Sequence, residues 1–215
     1  MALQIHAYES GPVATFGYLV IDDVTRDSVI IDAPFGFTQL LSAEALREGV
    51  APTALLLTHT HWDHTGDAAE LKRIYPELRV YVHRDDEYRL VDPMNHTVWP
   101  LPFEIEAVTP DGYLAHGERF AIGGISFDII HTPGHTEGGV CFYSAVHKTL
   151  FVGDTLFAGS VGRTDLPGGD WETLRTSIAS RVLTLPDDID VYPGHGPTTT
   201  IGIERVSNPF VGDGA

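Results

Sequence analysis

The sequence is poor in cysteine, in positive charge and in long apolar segments. Cys141 is the only cysteine among 215 residues, which excludes an intrachain disulfide. Thirteen Lys and Arg stand against 30 Asp and Glu, and the net charge of −17 would repel a phosphate backbone. No apolar run approaches the length of about 20 residues that a membrane helix needs. We therefore expect neither a nucleic-acid partner nor a membrane partner.

The first residues also lack the features of a secretory signal. They carry an early acid at Glu9 and no basic stretch followed by an apolar one, so the expected location is the cytoplasm. Hydrophobic residues make up 43% and charged residues 20%, which are values typical of globular proteins, and the length suits one core. We expect residues 1–215 to form a single domain. Cys141 stands in an apolar run and is expected to be an inert core residue.

The apolar pattern mixes hairpin, helical and buried-strand signals. Two apolar runs, 15–21 and 28–31, are separated by polar residues and predict an antiparallel hairpin. Helical spacing is found over 38–48, and segments 67–75 and 171–185 have helical character and are each stopped by a proline. This mixture predicts a layered α/β fold.

Four short apolar runs end abruptly in polar residues that are rich in His or Asp. These runs are 54–58, 126–130, 149–152 and 189–192. Buried strands read as continuous apolar runs, and active groups of α/β folds gather where strands end in loops. We therefore expect the four strand ends to meet at one place.

The segment after the first of these runs holds four potential metal ligands within six positions: His59, His61, Asp63 and His64. His59 and His61 face the same way in an extended chain, whereas Asp63 and His64 turn into the next element and face a neighbouring position. Burying three imidazoles and a carboxylate side by side without a metal would be costly. We interpret the segment as a source of ligands for two metal ions.

Four ligands cannot fill two coordination spheres, and the other strand ends offer His135, Asp154 and His195. Asp154 is the only carboxylate at its strand end, and a carboxylate can bridge two cations. His195 lies between two glycines, which let the backbone approach a crowded site. A proline and a glycine between His131 and His135 rule out a helical pair, so we expect His131 to be a hydrogen-bonded histidine near the core.

These seven residues, in this order, resemble the metallo-β-lactamase superfamily, and the resemblance covers nearly the whole chain. It implies an αββα sandwich of two mixed β-sheets flanked by helices, with the metal site at the sheet edge. It also implies that two metal ions are bound. The ligands of the first ion would be His59, His61 and His135, and those of the second would be Asp63, His64 and His195. Asp154 would bridge the two ions. Zinc is the expected metal, with iron or manganese as alternatives, since His and carboxylate ligands accept all three.

Within the superfamily, segments 153–169 and 192–199 resemble single-domain glyoxalase II, the hydroxyacylglutathione hydrolase branch. The resemblance implies cleavage of a small-molecule thioester, S-lactoylglutathione or a related hydroxyacyl thioester, by a hydroxide shared between the two metals. Asp63 would orient that hydroxide or accept its proton. Arg163 would bind the glycine carboxylate of glutathione, and Asp165 would shape the same loop.

Longer members of this branch carry a C-terminal helical domain that grips glutathione. About twenty residues follow His195, so no such domain is expected in this sequence. The sequence does not predict an oligomeric state.

Three alternatives stay open. A persulfide dioxygenase, a close relative, would use one iron held by His59, His135 and Asp154. A lactonase would share the whole metal set. A non-enzymatic module with a structural metal is disfavoured, because structural zinc sites are closed and four-coordinate, whereas seven ligands over two ions leave positions for water.

Overall fold

Two six-stranded β-sheets form the centre of the computed structural model, which describes residues 2–215. The first sheet contains, in chain order, β1 (Leu3–Ser10), β2 (Thr15–Asp22), β3 (Ser28–Ile31), β4 (Ala54–Leu56), β5 (Arg79–His83) and β6 (Gly112–Leu114). The second sheet has the spatial order β14 (Thr199–Thr200), β13 (Asp190–Pro193), β10 (Thr149–Gly153), β9 (Val140–Ser144), β8 (Ile125–His131) and β7 (Arg119–Ile122). A small hairpin joins β11 (Leu156–Phe157) to β12 (Ser160–Val161).

Both sheets are mixed. The predicted hairpin is confirmed, because β2 pairs with β3 in antiparallel register, and β1 adds a further antiparallel strand at the edge. From β3 to β6 the strands are parallel. In the second sheet all neighbouring strands are antiparallel except β10 and β13, which are parallel.

The helices are short apart from the first. They are α1 (Phe37–Glu48), α2 (Trp62–Thr65), α3 (Ala68–Ile74), α4 (Glu87–Val91), α5 (Pro93–His96), α6 (Trp171–Ser177) and α7 (Ile201–Ser207). Gly49 ends α1 in the left-handed conformation, with a φ of 67° that glycine adopts without strain. The sequence pattern predicts one helix over 171–185, but α6 ends at Ser177 and a π-helical turn, Ile178–Val182, continues it.

The alternation of side chains along the strands produces four layers. In β4, Leu55 packs against Phe37 of α1 and Leu71 of α3, whereas Leu56 packs between the sheets against Phe142. Each such buried side chain contributes about 1.5–3 kcal/mol of transfer free energy. The first sheet is therefore covered by helices on its outer side and by the second sheet on its inner side.

The second sheet repeats this arrangement. In β10, Phe151 faces the space between the sheets, while Leu150 and Val152 pack on the opposite side with Leu174 of α6 and Ile178. The layers are thus helix, sheet, sheet and helix, and the sequence prediction of an αββα sandwich with mixed sheets is confirmed.

Backbone hydrogen bonds tie the loops of the two sheets together at one edge. The amide of Val140 donates to Thr58 O, and the amide of Phe16 donates to Gly194 O, both at 2.8 Å. Gly194 in turn donates to Gly153 O at 2.8 Å. The loops that follow β4, β8, β10 and β13 therefore meet, as the strand-end pattern predicts. None of the helices in residues 2–215 combines the length and apolar character needed to cross a bilayer.

Candidate metal centre

The loop between β4 and α2 is held extended by two buried carboxylates. The amide of Thr58 donates to Asp32 Oδ1 at 2.8 Å, and the amide of Thr60 donates to Asp86 Oδ2 at 3.1 Å. His59 lies between the two anchored residues, and His61 directly follows the second. Their side chains point the same way because the chain is extended. Helix α2 begins directly afterwards and turns the next two donors to a neighbouring position.

Three imidazole nitrogens converge at the first position. His135 Nε2 lies 3.2 Å from His59 Nε2 and 2.9 Å from His61 Nδ1. His59 and His135 are only 2% and 4% exposed. The three nitrogens are close enough to one another to share a single ion.

A second group, of one carboxylate and two imidazoles, lies beside the first. Asp63 Oδ2 is 3.4 Å from His64 Nε2 and 3.2 Å from His195 Nε2. One potential ligand atom from each of these three side chains lies within 4.8 Å of the other two, which is close enough to bind one ion. Neighbouring residues of one segment thus lie in two separate groups of potential ligands.

Asp154 lies between the two groups. Its Oδ1 is 3.3 Å from His64 Nε2, and its Oδ2 is 3.5 Å from His195 Nε2 and 3.6 Å from His135 Nε2. The carboxylate therefore contacts donors of both groups. This is the position that a bridging ligand would need.

Hydrogen bonds outside the first group fix which imidazole nitrogens carry protons. His135 Nδ1 is 2.7 Å from Arg163 O, and a carbonyl oxygen can only accept, so the proton is on Nδ1. The hydroxyl of Thr58 donates to Asp32 and so can accept from His59 Nδ1 at 3.1 Å. The Nε2 lone pairs of His59 and His135 consequently face each other at 3.2 Å.

The second group shows the same arrangement. His64 Nδ1 donates to Asp32 Oδ2 at 2.8 Å, and His195 Nδ1 donates to Ala14 O at 3.3 Å. In both residues this leaves Nε2 directed at carboxylate oxygens. A partner that orients the outer nitrogen in this way is typical of metal-ligating histidines.

The pKa values suit ligands of the first group. Burial lowers the pKa of His59 well below its usual range and that of His61 to about 3, so both imidazoles are neutral, the form that binds metals. Burial acts to raise the pKa of Asp154, but His64, His135 and His195 together outweigh it and hold that pKa at about 2. Asp154 is therefore ionised.

In the second group burial acts to lower the pKa of His64, but the carboxylates of Asp154, Asp63 and Asp32 outweigh it and raise that pKa. The same concentration of negative charge that attracts a proton to His64 would attract a metal cation.

Two buried atoms test whether cations fit these groups. His64 Nε2 and Asp154 Oδ1 are inaccessible to solvent and have no hydrogen-bond partner among the described residues. Orphaned polar atoms and facing lone pairs are both costly, and a cation between them removes both costs. Imidazole and carboxylate donors suit Zn, Fe and Mn. The residues present therefore fit divalent metal ions.

Two glycines allow the chain to pass close to these donors. A Cβ at position 194 would overlap Asp154 Oδ1 and lie 2.6 Å from His64 Cε1. A Cβ at position 162 would overlap the backbone oxygen of Asp154. The close approach expected from the glycines beside His195 is thus made by Gly194, whereas Gly196 faces open space.

A cavity of about 170 Å³ opens over the donors. Its walls are formed by loops and short helices of both halves of the chain: Val13, Trp62, Pro93, His96, Thr97, Val98, Trp99, Leu166 and Pro167, with Arg89 and Arg163. His61, Asp63, His135, Asp154 and His195 face the same space. A small molecule bound there would contact the donor groups directly.

Arg163 and Asp165 occupy different places relative to this cavity. Arg163 lines it, with its guanidinium 5.3 Å from the ring centroid of Trp99. Asp165 is not among the lining residues; its carboxylate accepts two hydrogen bonds from Arg163, at 2.7 and 2.8 Å. His131 lies apart from the seven donors and donates from Nε2 to Glu137 O at 2.9 Å, in agreement with its predicted role.

The sequence pattern does not predict two residues of the site, Asp32 beside the donors and Arg89 in the cavity wall. Asp32 directly follows the apolar run of β3, so the strand-end pattern that found the other donors could have found it. Arg89 is only 4% exposed and contacts Asp86, Glu137 and Pro167 O. No sequence signal marks it, because Glu137 and Pro167 are distant along the chain and a pair of Asp86 with Arg89 three residues later is common on exposed helix surfaces.

The chain is similar to proteins of one known family. A family model described as the metallo-beta-lactamase superfamily matches residues 10–195. A Haemophilus influenzae protein, hydroxyacylglutathione hydrolase GloC, is 39% identical over 196 residues, which cover 90% of this chain and 91% of the relative.

Two solved structures are also similar, each at 37% identity. BLEG-1 B3 metallo-beta-lactamase superposes with a TM-score of 0.89, covering 97% of this chain and 99% of the other. TTHA1623 in a di-iron-bound form superposes with a TM-score of 0.83, covering 95% and 99%.

Proposed function

This chain belongs to the metallo-β-lactamase superfamily, and from that premise we propose that it is a dinuclear metallohydrolase that cleaves hydroxyacyl thioesters, S-lactoylglutathione being one of that class. The observation that carries the proposal is the position of Asp154, whose two oxygens lie within 3.6 Å of donors from both groups. The similar structure in a di-iron-bound form supports two ions.

In this proposal His59, His61 and His135 would hold one ion. Asp63, His64 and His195 would hold the other, and Asp154 would be a ligand of both. When bound, two such cations lower the pKa of water from 15.7 toward about 7 and offer positive charge to a developing oxyanion. Zinc is the expected metal, and iron and manganese would fit the same donors.

Asp63 is suited to handle the proton of the attacking water. Its carboxylate faces the cavity and accepts a hydrogen bond from the hydroxyl of Thr15 at 2.8 Å, which fixes its orientation. Burial acts to raise its pKa, but His64 and His195 outweigh burial and keep the carboxylate ionised. A thiol leaving group has a pKa near ~8.5 and departs without a strong acid, so the chain need not supply one.

The choice of thioesters is supported by GloC, whose name describes hydrolysis of hydroxyacylglutathione. A mononuclear iron dioxygenase would need only His59, His135 and Asp154. The presence of the second group, Asp63, His64 and His195, favours hydrolysis over that alternative. Ring-opening assays on lactones separate the lactonase alternative.

The proposal is tested by removing metal with a chelator and adding back zinc, iron or manganese. We expect S-lactoylglutathione or another hydroxyacyl thioester to be hydrolysed only after metal is restored, with two ions per chain by elemental analysis. Oxygen consumption with a persulfide substrate, and no thioester hydrolysis, would contradict the proposal.

A further inference from the structure

The guanidinium of Arg163 already has a carboxylate partner. Its Nε and Nη2 donate to the two oxygens of Asp165 at 2.7 and 2.8 Å in bidentate geometry, and the two side chains are 50% and 68% exposed. One face of the guanidinium lies over the ring of Trp99. The positive charge that would otherwise attract a carboxylate of a substrate is therefore compensated within the same loop.

Arg89, the second guanidinium in the cavity wall, is also paired with carboxylates. Its Nη1 donates to Asp86 Oδ1 at 3.1 Å, and its Nη2 donates to Glu137 Oε2 at 2.6 Å and to Pro167 O at 2.8 Å. Two carboxylates thus surround one positive charge. In the described chain, residues 2–215, the lining contains no other Arg and no Lys.

Apart from the donors and the two arginines, the wall is mostly apolar or aromatic, and its polar side chains are those of Thr60, His96 and Thr97. Val13, Val98, Trp99 and Leu166 contribute side chains to the space beside the donors. The whole chain has a net charge of −17, which adds a repulsive field for an anion. Away from the proposed metal ions, which would be engaged with the thioester carbonyl and water, a carboxylate in this cavity would lose its hydration without gaining a free cationic side chain.

We propose that the thiol portion of the thioester cleaved here is uncharged, so that a neutral thiol is preferred over glutathione, which carries two carboxylates. This inference rests on the proposed thioester hydrolysis and specifies its substrate class. In the reaction, the oxygen of water forms a bond to the thioester carbonyl carbon and the C–S bond breaks with its electron pair going to sulfur. The products are the hydroxy acid carboxylate, the neutral thiol and one released proton.

The first experiment compares two lactoyl thioesters on the metal-loaded protein, one of glutathione and one of N-acetylcysteamine, an uncharged thiol. We expect kcat/KM to be at least about tenfold higher for the neutral thioester, the scale of one charge-assisted interaction. An equal or higher value for lactoylglutathione overturns the inference but leaves the thioesterase proposal intact. If neither ester is hydrolysed, both proposals fail.

The second experiment uses Asp165→Asn, which releases Arg163 from its partner. We expect the ratio of kcat/KM for lactoylglutathione to that for the neutral thioester to rise by about tenfold. Asp188→Asn is the matched control, because it makes the same change in net charge and breaks an exposed ion pair with Lys148. Lys148 directly precedes β10, whereas Asp154 directly follows it, so this pair lies at the end of the strand away from the site. That control should leave the ratio unchanged.

A binding measurement provides a readout independent of turnover. Titration calorimetry with S-hexylglutathione, which cannot be hydrolysed, should give about tenfold tighter binding to Asp165→Asn than to the wild type or to Asp188→Asn. Equal affinity for all three proteins would overturn the inference, since it would mean that the Arg163–Asp165 pair does not control recognition of a carboxylate.

Discussion

His64 Nδ1 donates a hydrogen bond to Asp32 Oδ2 at 2.8 Å, and both side chains are fully buried. The bond turns the Nε2 of His64 toward Asp63 and Asp154. Asp32 also accepts from the amide and hydroxyl of Thr58, the residue before His59. One carboxylate therefore positions donors of both metal groups.

We expect Asp32→Asn to weaken binding of metal at the second group by about 10–100-fold, the usual effect of losing a partner that orients a ligating histidine. Asn suits this position because Asp32 has a φ of 57°, which Asn tolerates better than most residues. Affinity is measured by titrating the chelated protein with zinc. Asp22→Asn, which alters another buried carboxylate that caps backbone amides, serves as control and should bind zinc like the wild type.

We expect Asp154→Asn to reduce the metal content from two ions per chain to at most one, because a neutral amide cannot bridge two cations. Thioester hydrolysis should fall by at least about 100-fold, the scale lost when a group that stabilises developing charge is removed. Elemental analysis and kcat/KM are measured on the same preparation. Retention of two ions with full activity would contradict the bridging role of this residue.

Gly162→Ala should destabilise the fold and the first metal group together. The added methyl would overlap the backbone oxygen of Asp154 and lie 3.1 Å from His135 Nδ1, and backbone cannot move aside cheaply. We expect a loss of more than about 3 kcal/mol in the free energy of unfolding, measured by urea denaturation.

Gly159→Ala is the comparison for that variant. Gly159 has a φ of 68° and open space around its Cβ direction, so only the conformational cost of about 1 kcal/mol applies. Equal losses for the two variants would show that crowding near Asp154 is not the cause.

Cys141 should be inert in the folded protein. Burial raises the pKa of its thiol to about 11, so the reactive thiolate is scarce at pH 8. We expect no reaction with Ellman's reagent at pH 8 in the native state and one equivalent after guanidinium is added. Rapid modification of the native protein would contradict this prediction.

The same shift gives a direction for the pH dependence of stability. The pKa of Cys141 in the folded state lies above the ordinary value of 9.0. The stability that the folded protein gains from keeping this thiol protonated is therefore complete below about pH 9 and is lost as the pH rises toward 11. Urea denaturation of the wild type and of Cys141→Ala at pH 7 and pH 10 measures it. The wild type should lose more free energy of unfolding than the variant between the two pH values.

The strand-end pattern accounts for how much of the site could be predicted from the sequence. Donors such as His59 and Asp154 directly follow apolar strands, and the edge of a sheet brings such residues together whatever the intervening segments do. Asp32 follows the same rule, but the apolar run before it, 28–31, predicts only a hairpin strand from the sequence pattern.

The cavity wall could not be predicted in this way. Arg89 belongs to a short helix, where arginine is ordinarily exposed, and its burial depends on Asp86, Glu137 and the Pro167 carbonyl. Segment 93–99 enters the wall only through its tertiary position. Likewise, the change from α6 to a π-helical turn lies within a segment whose apolar pattern is that of an ordinary helix.

The two sheets supply the donors separately: residues 59–64 follow β4 of the first sheet, whereas His135, Asp154 and His195 follow strands of the second. Two metal ions bound by donors from both sheets would form a reversible cross-link between two parts of the chain that are far apart in sequence. With a single cysteine, the chain has no covalent means of making such a link. Metal availability would then govern mechanical cohesion as well as turnover.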